Sequence, residues 1–191
     1  LFLMAKNKLH PLWYSEFIPI LFFVSSIFSG LSMVIFEGTI SHRVFEDQIS
    51  EEHKSRHDEI VLGLAKGCIG AMFAYLFLKI LVFIHGKGWV YINSGMGYWF
   101  LTEVLGFVLI PLLLYIYGVR KESPTIVKVA SVITLVGIII NRLNVSIIAF
   151  KWDAPHRYYP SWMEVMVTLG VISAEMWVFR WVVNRMPVLR E

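Results

Sequence analysis

The chain has 191 residues and a net charge of +3, with 57% hydrophobic and only 16% charged residues. Soluble domains carry about a quarter charged residues; with a mean hydropathy of +0.66, the deficit excludes an ordinary soluble domain and points to a membrane protein. The small positive charge suits membrane topology and argues against nucleic acid as a partner, and a single cysteine, Cys68, excludes an intrachain disulfide and a four-cysteine iron–sulfur or zinc site.

About 20 apolar residues cross a bilayer as a helix. Five segments qualify: residues 17–36, 60–84, 98–117, 126–150 and 162–183. Continuous apolar runs, rather than ten-residue alternating segments, argue against a β-barrel. The expected fold is therefore an all-α membrane bundle of about five transmembrane helices, read as a single unit over residues 1–191. The first helix carries small residues at close spacing, Ser25, Ser29 and Ser32 with Ser26 and Gly30 beside them, which reads as a helix-packing face. Residues 37–59, dense in charge, read as a solvated loop with room for a short amphipathic helix. The third segment is interrupted by Glu103 and Pro111, and Pro111 hints at a break in that helix. Before the fifth segment, Trp152, Tyr158, Tyr159 and Trp162 read as an interfacial aromatic belt. Cys68 reads as a buried thiol. The sequence begins on leucine rather than methionine, so it is expected to be part of a longer chain or to lack its true start.

Lysine and arginine in the short loops set orientation. Arg43, Lys54, Arg56, Lys66, Arg120, Lys121, Lys128, Arg185 and Arg190 fall on one side; Lys6, Lys8, Lys87, Lys151 and Arg157 fall on the other. The first side is expected to be cytoplasmic, which makes residues 37–59 a cytoplasmic loop and the aromatic loop outward-facing.

Charge inside the membrane is costly and marks a bundle interior or a functional cavity. At about 1.5 Å per residue, Arg142 lies roughly 13 Å and Glu103 roughly 8 Å below the outer surface. Their long side chains can then meet. Asn141 and Asn144 share a helix face, and Arg142 points about 100° from Asn141. Two readings stay open: a buried pair that fixes packing, or a polar cavity that binds a headgroup or relays protons. Glu175 is deeper, about 20 Å along the last helix, and reads equally as a proton-path residue or as a helix-bonding one. Lys79 and Glu164 read as interfacial groups that snorkel. His10, His42, His53, His57, His85 and His156 all lie in loops or at helix ends, so no haem is expected in this chain. His53 and His57, four apart, read as a solvated face rather than a metal pair.

Several stretches carry a family resemblance: "KLHPLW" (8–13), "FIPILFFVSSIFSGLSMVIFEG", the glutamate of "FLTEVLGFVLIPLLL", "NRLN" followed by "SII", and "YYPSWMEVMVTLGVISAEMWVFRWVVNRMPVL". Together they span nearly the whole chain, and "NRLN" with "PSWMEV" is the specific part. The chain resembles the C-terminal half of the NrfD/polysulfide-reductase membrane subunits, in particular the HybB-type subunit of nickel–iron hydrogenases. The resemblance implies a cofactor-free, multi-pass subunit in a bacterial or archaeal cytoplasmic membrane. Such a subunit anchors an extracytoplasmic iron–sulfur electron-transfer subunit and supports electron exchange with menaquinone or another quinone. It also implies a further helical bundle, supplied by another membrane subunit or an N-terminal half, that largely builds the quinone pocket. The matching positions carried over are Glu103, Asn141, Arg142, Asn144 and His10 for a quinone or polar cavity, and Glu103, Glu164 and Glu175 for a proton path. A pure structural anchor and half of an ion or solute transporter are the rival expectations; the transporter would favour inverted repeats, and none is evident.

Overall fold

The computed structural model describes residues 8–44, 51–150, 152 and 160–185. Among these residues the chain is helical, with one isolated β-bridge between Leu9 and Phe150. The helices are α1 (Ile18–Val44), α2 (Glu51–His85), α3 (Gly95–Val104), α4 (Ile110–Arg120), α5 (Pro124–Leu143) and α6 (Trp162–Arg185). A π-turn over Leu105–Leu109 joins α3 to α4 without interruption, and a second, Asn144–Ile148, extends α5. Five helical runs are long and apolar enough to cross a membrane: Ile18–Ile40, His57–His85, Gly95–Arg120, Pro124–Ile148 and Trp162–Val182. The protein is an all-α, multi-pass membrane protein.

The five spans fall where the hydropathy runs fall, with different ends. In its described part, the charged stretch 37–59 is taken up by the last turns of α1 and the first turns of α2. Pro111 does not break the third span. It sits in the first turn of α4, where its missing N–H is tolerated, directly after the π-turn. Local chemistry accounts for the other helix starts. Ser94, in extended conformation, caps α3 by accepting from the Gly97 N–H at 3.0 Å. Pro124 opens α5, the position where proline is best placed. The turn between α4 and α5 is tight: Glu122 takes a left-handed φ of 49°, and the Ser123 N–H reaches back to the Gly118 carbonyl at 2.9 Å.

The chain divides into two compact units, residues 1–153 and 154–191. In the first, each span packs on two neighbours in a closed ring, α1 on α2, α2 on α4, α4 on α5 and α5 on α1. The core is a column of buried side chains that includes Phe28, Ile35, Met72, Leu112, Tyr115 and Val127. Cys68 is buried in it with its thiol free. Ser32 and Tyr115 share a hydrogen bond of 2.9 Å inside this column, and Ser32 also donates to the Phe28 carbonyl. The small residues of α1 therefore do serve packing, with Ser25 and Ser32 turned fully inward. Gly137 lets α5 come close to the π-turn: a Cβ there would lie 2.7 Å from the Phe107 Cβ and 2.9 Å from its carbonyl oxygen.

A second, smaller core closes one end of the bundle, with Leu9, Leu12, Trp13, Phe100, Val145 and Ala149 buried together. Here the N-terminal segment crosses under the end of α5. The His10 N–H donates to the Ala149 carbonyl at 3.0 Å beside the Leu9–Phe150 bridge. Among the described residues the second unit consists of helix α6, started by Ser161, whose carbonyl accepts from the Val165 N–H at 3.2 Å.

Candidate functional site

The end closed by the N-terminal segment is also where the membrane-embedded charge collects. Lys79 lies six residues before the end of α2, Glu103 eight residues into α3, and Asn141 and Asn144 seven and four residues before the end of the α5 run. At about 1.5 Å per residue all four lie roughly 6–12 Å below that end. Glu103 is deeper than the hydropathy run implied, because α3 begins at Gly95 rather than at Tyr98.

Glu103 is only 3% exposed and is surrounded by donors. Its Oε2 accepts from Trp13 Nε1 at 2.9 Å and from the Asn144 side-chain amide. Its Oε1 accepts from the Asn141 amide at 2.6 Å and lies 3.8 Å from Lys79 Nζ. The Asn144 carbonyl oxygen accepts in turn from Trp99 Nε1 at 2.9 Å, which fixes the amide with its NH₂ towards Glu103. The two asparagines reach one carboxylate because they are three apart on one helix face. Asn144 is also the first residue of the second π-turn, and Glu103 is the second residue before the first π-turn. Single π-turns frequently mark functional sites because they re-aim the side chains around them.

Lys79 does not snorkel. It is 8% exposed, paired with Glu103, in contact with the Tyr75 hydroxyl one turn earlier, and 5.1 Å above the Phe100 ring. An ammonium that can bond an anion within the bundle has no reason to climb to the interface. Lys79 thus joins the Glu103 cluster although the sequence reading places it at the interface; a charge inside a hydropathy run is the signal for it. Trp13 and Trp99 carried no comparable signal, since an aromatic residue near a span end reads first as a belt residue.

Arg142 does not pair with Glu103, contrary to the expected reach between them. The 100° turn from Asn141 sends it towards α1 instead. There its guanidinium donates to Ser25 Oγ at 2.9 Å and to the Phe22 carbonyl at 3.4 Å, and stands 3.8 Å over the Phe22 ring. Ser146, one turn on, donates its hydroxyl to the Arg142 carbonyl at 2.7 Å.

His10 is buried in the capping segment and edge-on to three aromatic rings, those of Trp13, Tyr91 and Trp152. Its Nδ1 accepts from the Leu12 N–H at 3.2 Å, and burial holds its pKa below the usual histidine value. It borders the cluster through Trp13. Glu164 and Glu175 belong to the second unit: Glu164 is in the first turn of α6, where its carbonyl accepts from the Thr168 hydroxyl at 2.9 Å, and Glu175 lies three turns further on. The expected belt residues Tyr158 and Tyr159, and His156, lie outside the described residues.

Two openings adjoin the cluster. A cavity of about 10 Å³ beside Glu103 and Asn141, walled by Phe28, Tyr75, Phe107 and Gly137, has room for one water. A lateral groove of about 160 Å³ runs along the stem of Lys79 between Ile80, Phe83, Phe100, Leu101 and Val104.

These features define a helical membrane protein with a buried, hydrogen-bonded carboxylate–lysine centre near one end of its bundle. The chain belongs to the NrfD polysulphide reductase family, whose model matches residues 2–150. A protein of Nitratidesulfovibrio vulgaris (Hildenborough), named simply "Protein", is 42% identical over 193 residues, covering all of this chain and 50% of the relative. The probable Ni/Fe-hydrogenase 2 b-type cytochrome subunit of Escherichia coli K12 is a more distant homologue, 24% identical over 190 residues, covering 99% of this chain and 47% of the relative. The chain thus spans about half the length of the curated relatives it matches. No solved structure is a significant match.

The name of the Escherichia coli relative raises haem. Of the described histidines, His10 has its Nδ1 engaged by the backbone, His85 is at the very end of α2, and His42, His53 and His57 lie in the last turns of α1 and the first turns of α2, at the opposite end of these helices from Lys79 and Glu103. A quinone headgroup makes different demands. Its oxygens accept hydrogen bonds and its ring needs apolar walls; Ile80, Phe83, Phe100, Leu101 and Val104 give the groove such walls, with the Lys79 ammonium behind them on Glu103.

Proposed function

We propose that this chain is an integral membrane subunit of a multisubunit, hydrogenase-like oxidoreductase in a bacterial or archaeal cytoplasmic membrane. In this reading it anchors an iron–sulfur electron-transfer subunit on the extracytoplasmic side, and it supports electron exchange between that subunit and menaquinone or a related quinone. A further membrane bundle completes the quinone site. Membership of the NrfD family and the homology to a hydrogenase subunit support the class of complex. The observation that carries the quinone reading is the Lys79–Glu103 centre beside an aromatic-walled lateral groove.

Quinone, when bound, supplies a two-electron, two-proton couple. The chain's own residues then have separable tasks. Lys79, with three N–H donors, holds a proton at the inner edge of the groove. Glu103 balances its charge and aims it. All four groups around Glu103 are donors, so its oxygens act as acceptors and the centre holds its geometry without water. Asn141, Asn144 and Trp13 fix the carboxylate, while Phe83 and Phe100, stacked 5.9 Å apart, exclude solvent. Glu164 and Glu175 are the further carboxylates assigned to proton supply. With the more basic loops cytoplasmic, the closed end faces outward in this reading and the cluster lies beneath the face where the iron–sulfur partner would dock.

The test is Lys79→Met and Glu103→Gln in the intact complex. Loss of quinone-coupled turnover, with assembly and electron transfer to a soluble artificial acceptor retained, supports the reading. Normal quinone turnover in both variants refutes it. Loss of assembly alone would favour the structural anchor, for which the complete hydrogen bonding of Glu103 also speaks.

A further inference from the structure

A second lateral groove lies at the capped end of the bundle, between the start of α1 and the last two turns of α2, and the quinone reading does not use it. Its volume is about 580 Å³, within the range of ligand pockets. Phe17, Leu78, Leu81 and Ile84 give it apolar walls, and two polar residues border it, Glu16 and His85. Glu16 is two residues before α1 and His85 is the last residue of α2, so both stand at the boundary of their membrane spans. Leu78 precedes His85 by seven residues, so the apolar wall reaches about 10 Å into the membrane. Further in, the same face of α2 continues from Leu81 to Phe77 and Phe73, at spacings of four and all exposed. Neither the Glu16 carboxylate nor the His85 ring has an ion-pair or hydrogen-bond partner among the described residues. The helix dipole favours an acid before α1 and a base closing α2, but it does not account for both converging on one apolar groove.

We propose that this groove binds one phospholipid whose headgroup carries a primary ammonium, an ethanolamine phospholipid, with an acyl chain laid along the α2 face. Depth selects an amphiphile. The occupant must be apolar over the inner part of the groove and polar at the level of Glu16 and His85, which is the level where a lipid changes from tail to headgroup. Charge selects the headgroup. Glu16 accepts N–H bonds from an ammonium, and a ring N–H of His85 donates to a phosphate oxygen. A choline headgroup has no N–H to offer Glu16. A headgroup with phosphate alone brings a second anion to Glu16 with no cation of its own. The inference stands apart from the quinone reading, because this groove shares no lining residue with the one beside Lys79.

The experiment takes the full-length protein, purified with the subunits that accompany it, into bilayer discs of equal parts phosphatidylethanolamine and phosphatidylcholine with matched acyl chains. Native mass spectrometry then reads the lipid retained per copy. The expected result is one retained phosphatidylethanolamine, preferred over phosphatidylcholine by about tenfold, the effect of one charge-assisted hydrogen bond. Glu16→Gln should lower phosphatidylethanolamine retention to the phosphatidylcholine level. His85→Ala should weaken both lipids, because both carry the phosphate, and Leu81→Trp should displace both by filling the groove. Equal retention of the two lipids by the unsubstituted protein, or retention unchanged in Glu16→Gln, would overturn the proposal. So would a photoreactive phenylalanine analogue at Leu81 that crosslinks to a peptide rather than to lipid in native membranes, since a protein segment would then fill the groove. If a variant does not accumulate, the preference of the unsubstituted protein and the identity of the Leu81 adduct still decide.

Discussion

Replacing Glu103 by Gln keeps the shape of the side chain and reverses half of its hydrogen bonding. The carboxylate accepts two donors on each oxygen, Trp13 and Asn144 on one, Asn141 and Lys79 on the other. A glutamine amide has one acceptor oxygen, so its NH₂ must face one of these donor pairs. Whichever way it turns, at least one buried donor loses its acceptor, at about 1–3 kcal/mol. Lys79 meanwhile loses its anion at a site where it is 8% exposed. Removing one partner of a buried pair costs about 3–5 kcal/mol; the 3.8 Å separation of this pair argues for the low end. The expected loss is about 4–5 kcal/mol, a large share of the 5–15 kcal/mol typical of a folded protein. The double variant Glu103→Gln, Lys79→Met should cost about 1.5–3 kcal/mol less than the two single changes summed, because the second removes the stranded charge. Equilibrium unfolding of the complex in bilayer discs, followed by tryptophan fluorescence, reads all three. Additive single changes, or a Glu103→Gln cost under about 1 kcal/mol, would show that the cluster is wet and weakly coupled, and the electrostatic argument would fail with it.

Gly137→Ala should destabilise by about 1–3 kcal/mol by driving a methyl into Phe107 and pushing α5 off the first π-turn; unfolding measurements would detect the loss, and the Asn141–Glu103 contact should weaken with it. Tyr115→Phe removes the 2.9 Å bond to Ser32 while Ser32 keeps the Phe28 carbonyl, so the cost should be only about 0.5–1.5 kcal/mol in the same assay. For His10, burial lowers the folded pKa below the ordinary value of 6.5. The unfolded chain then binds the extra proton first, so the stabilising contribution is full above pH 6.5 and is lost as pH falls through the folded value. Protonation also takes Nδ1 from the Leu12 N–H. Hydrogen exchange of the Leu12 amide should accelerate on acidification below pH 6.5, and His10→Asn should flatten that dependence.

The membrane architecture was legible because a span needs a long apolar run, and five such runs stand out against charged connections. Span ends were less legible, since α1 and α2 continue as helices into polar sequence where hydropathy no longer reports on them. The site was legible in part. Intramembrane Glu103, Asn141, Asn144 and Arg142 declare themselves by being in the wrong solvent, and three of the four do meet. What hydropathy could not supply was direction. Lys79 and Arg142 were both assigned by depth alone, and depth does not distinguish a side chain turned inward from one turned out. Trp13 comes to Glu103 from 90 residues away, through a capping segment whose course no periodicity encodes.

The α5 sequence "NRLN" resolves into two electrostatic systems back to back. Asn141 and Asn144 are neutral donors, and they converge on the one carboxylate of the ring interior, where Lys79 already balances the charge. A second cation on that face would leave the interior with a net positive charge, which hydrocarbon penalises. The arginine between the asparagines is turned by about 100° onto α1, where it meets the buried Ser25 hydroxyl and the Phe22 carbonyl. A helix that must serve a buried carboxylate and also seat a cation against α1 does so by placing amides three apart and the guanidinium between them, and shifting Arg142 by one position in either direction would bring the two systems into conflict.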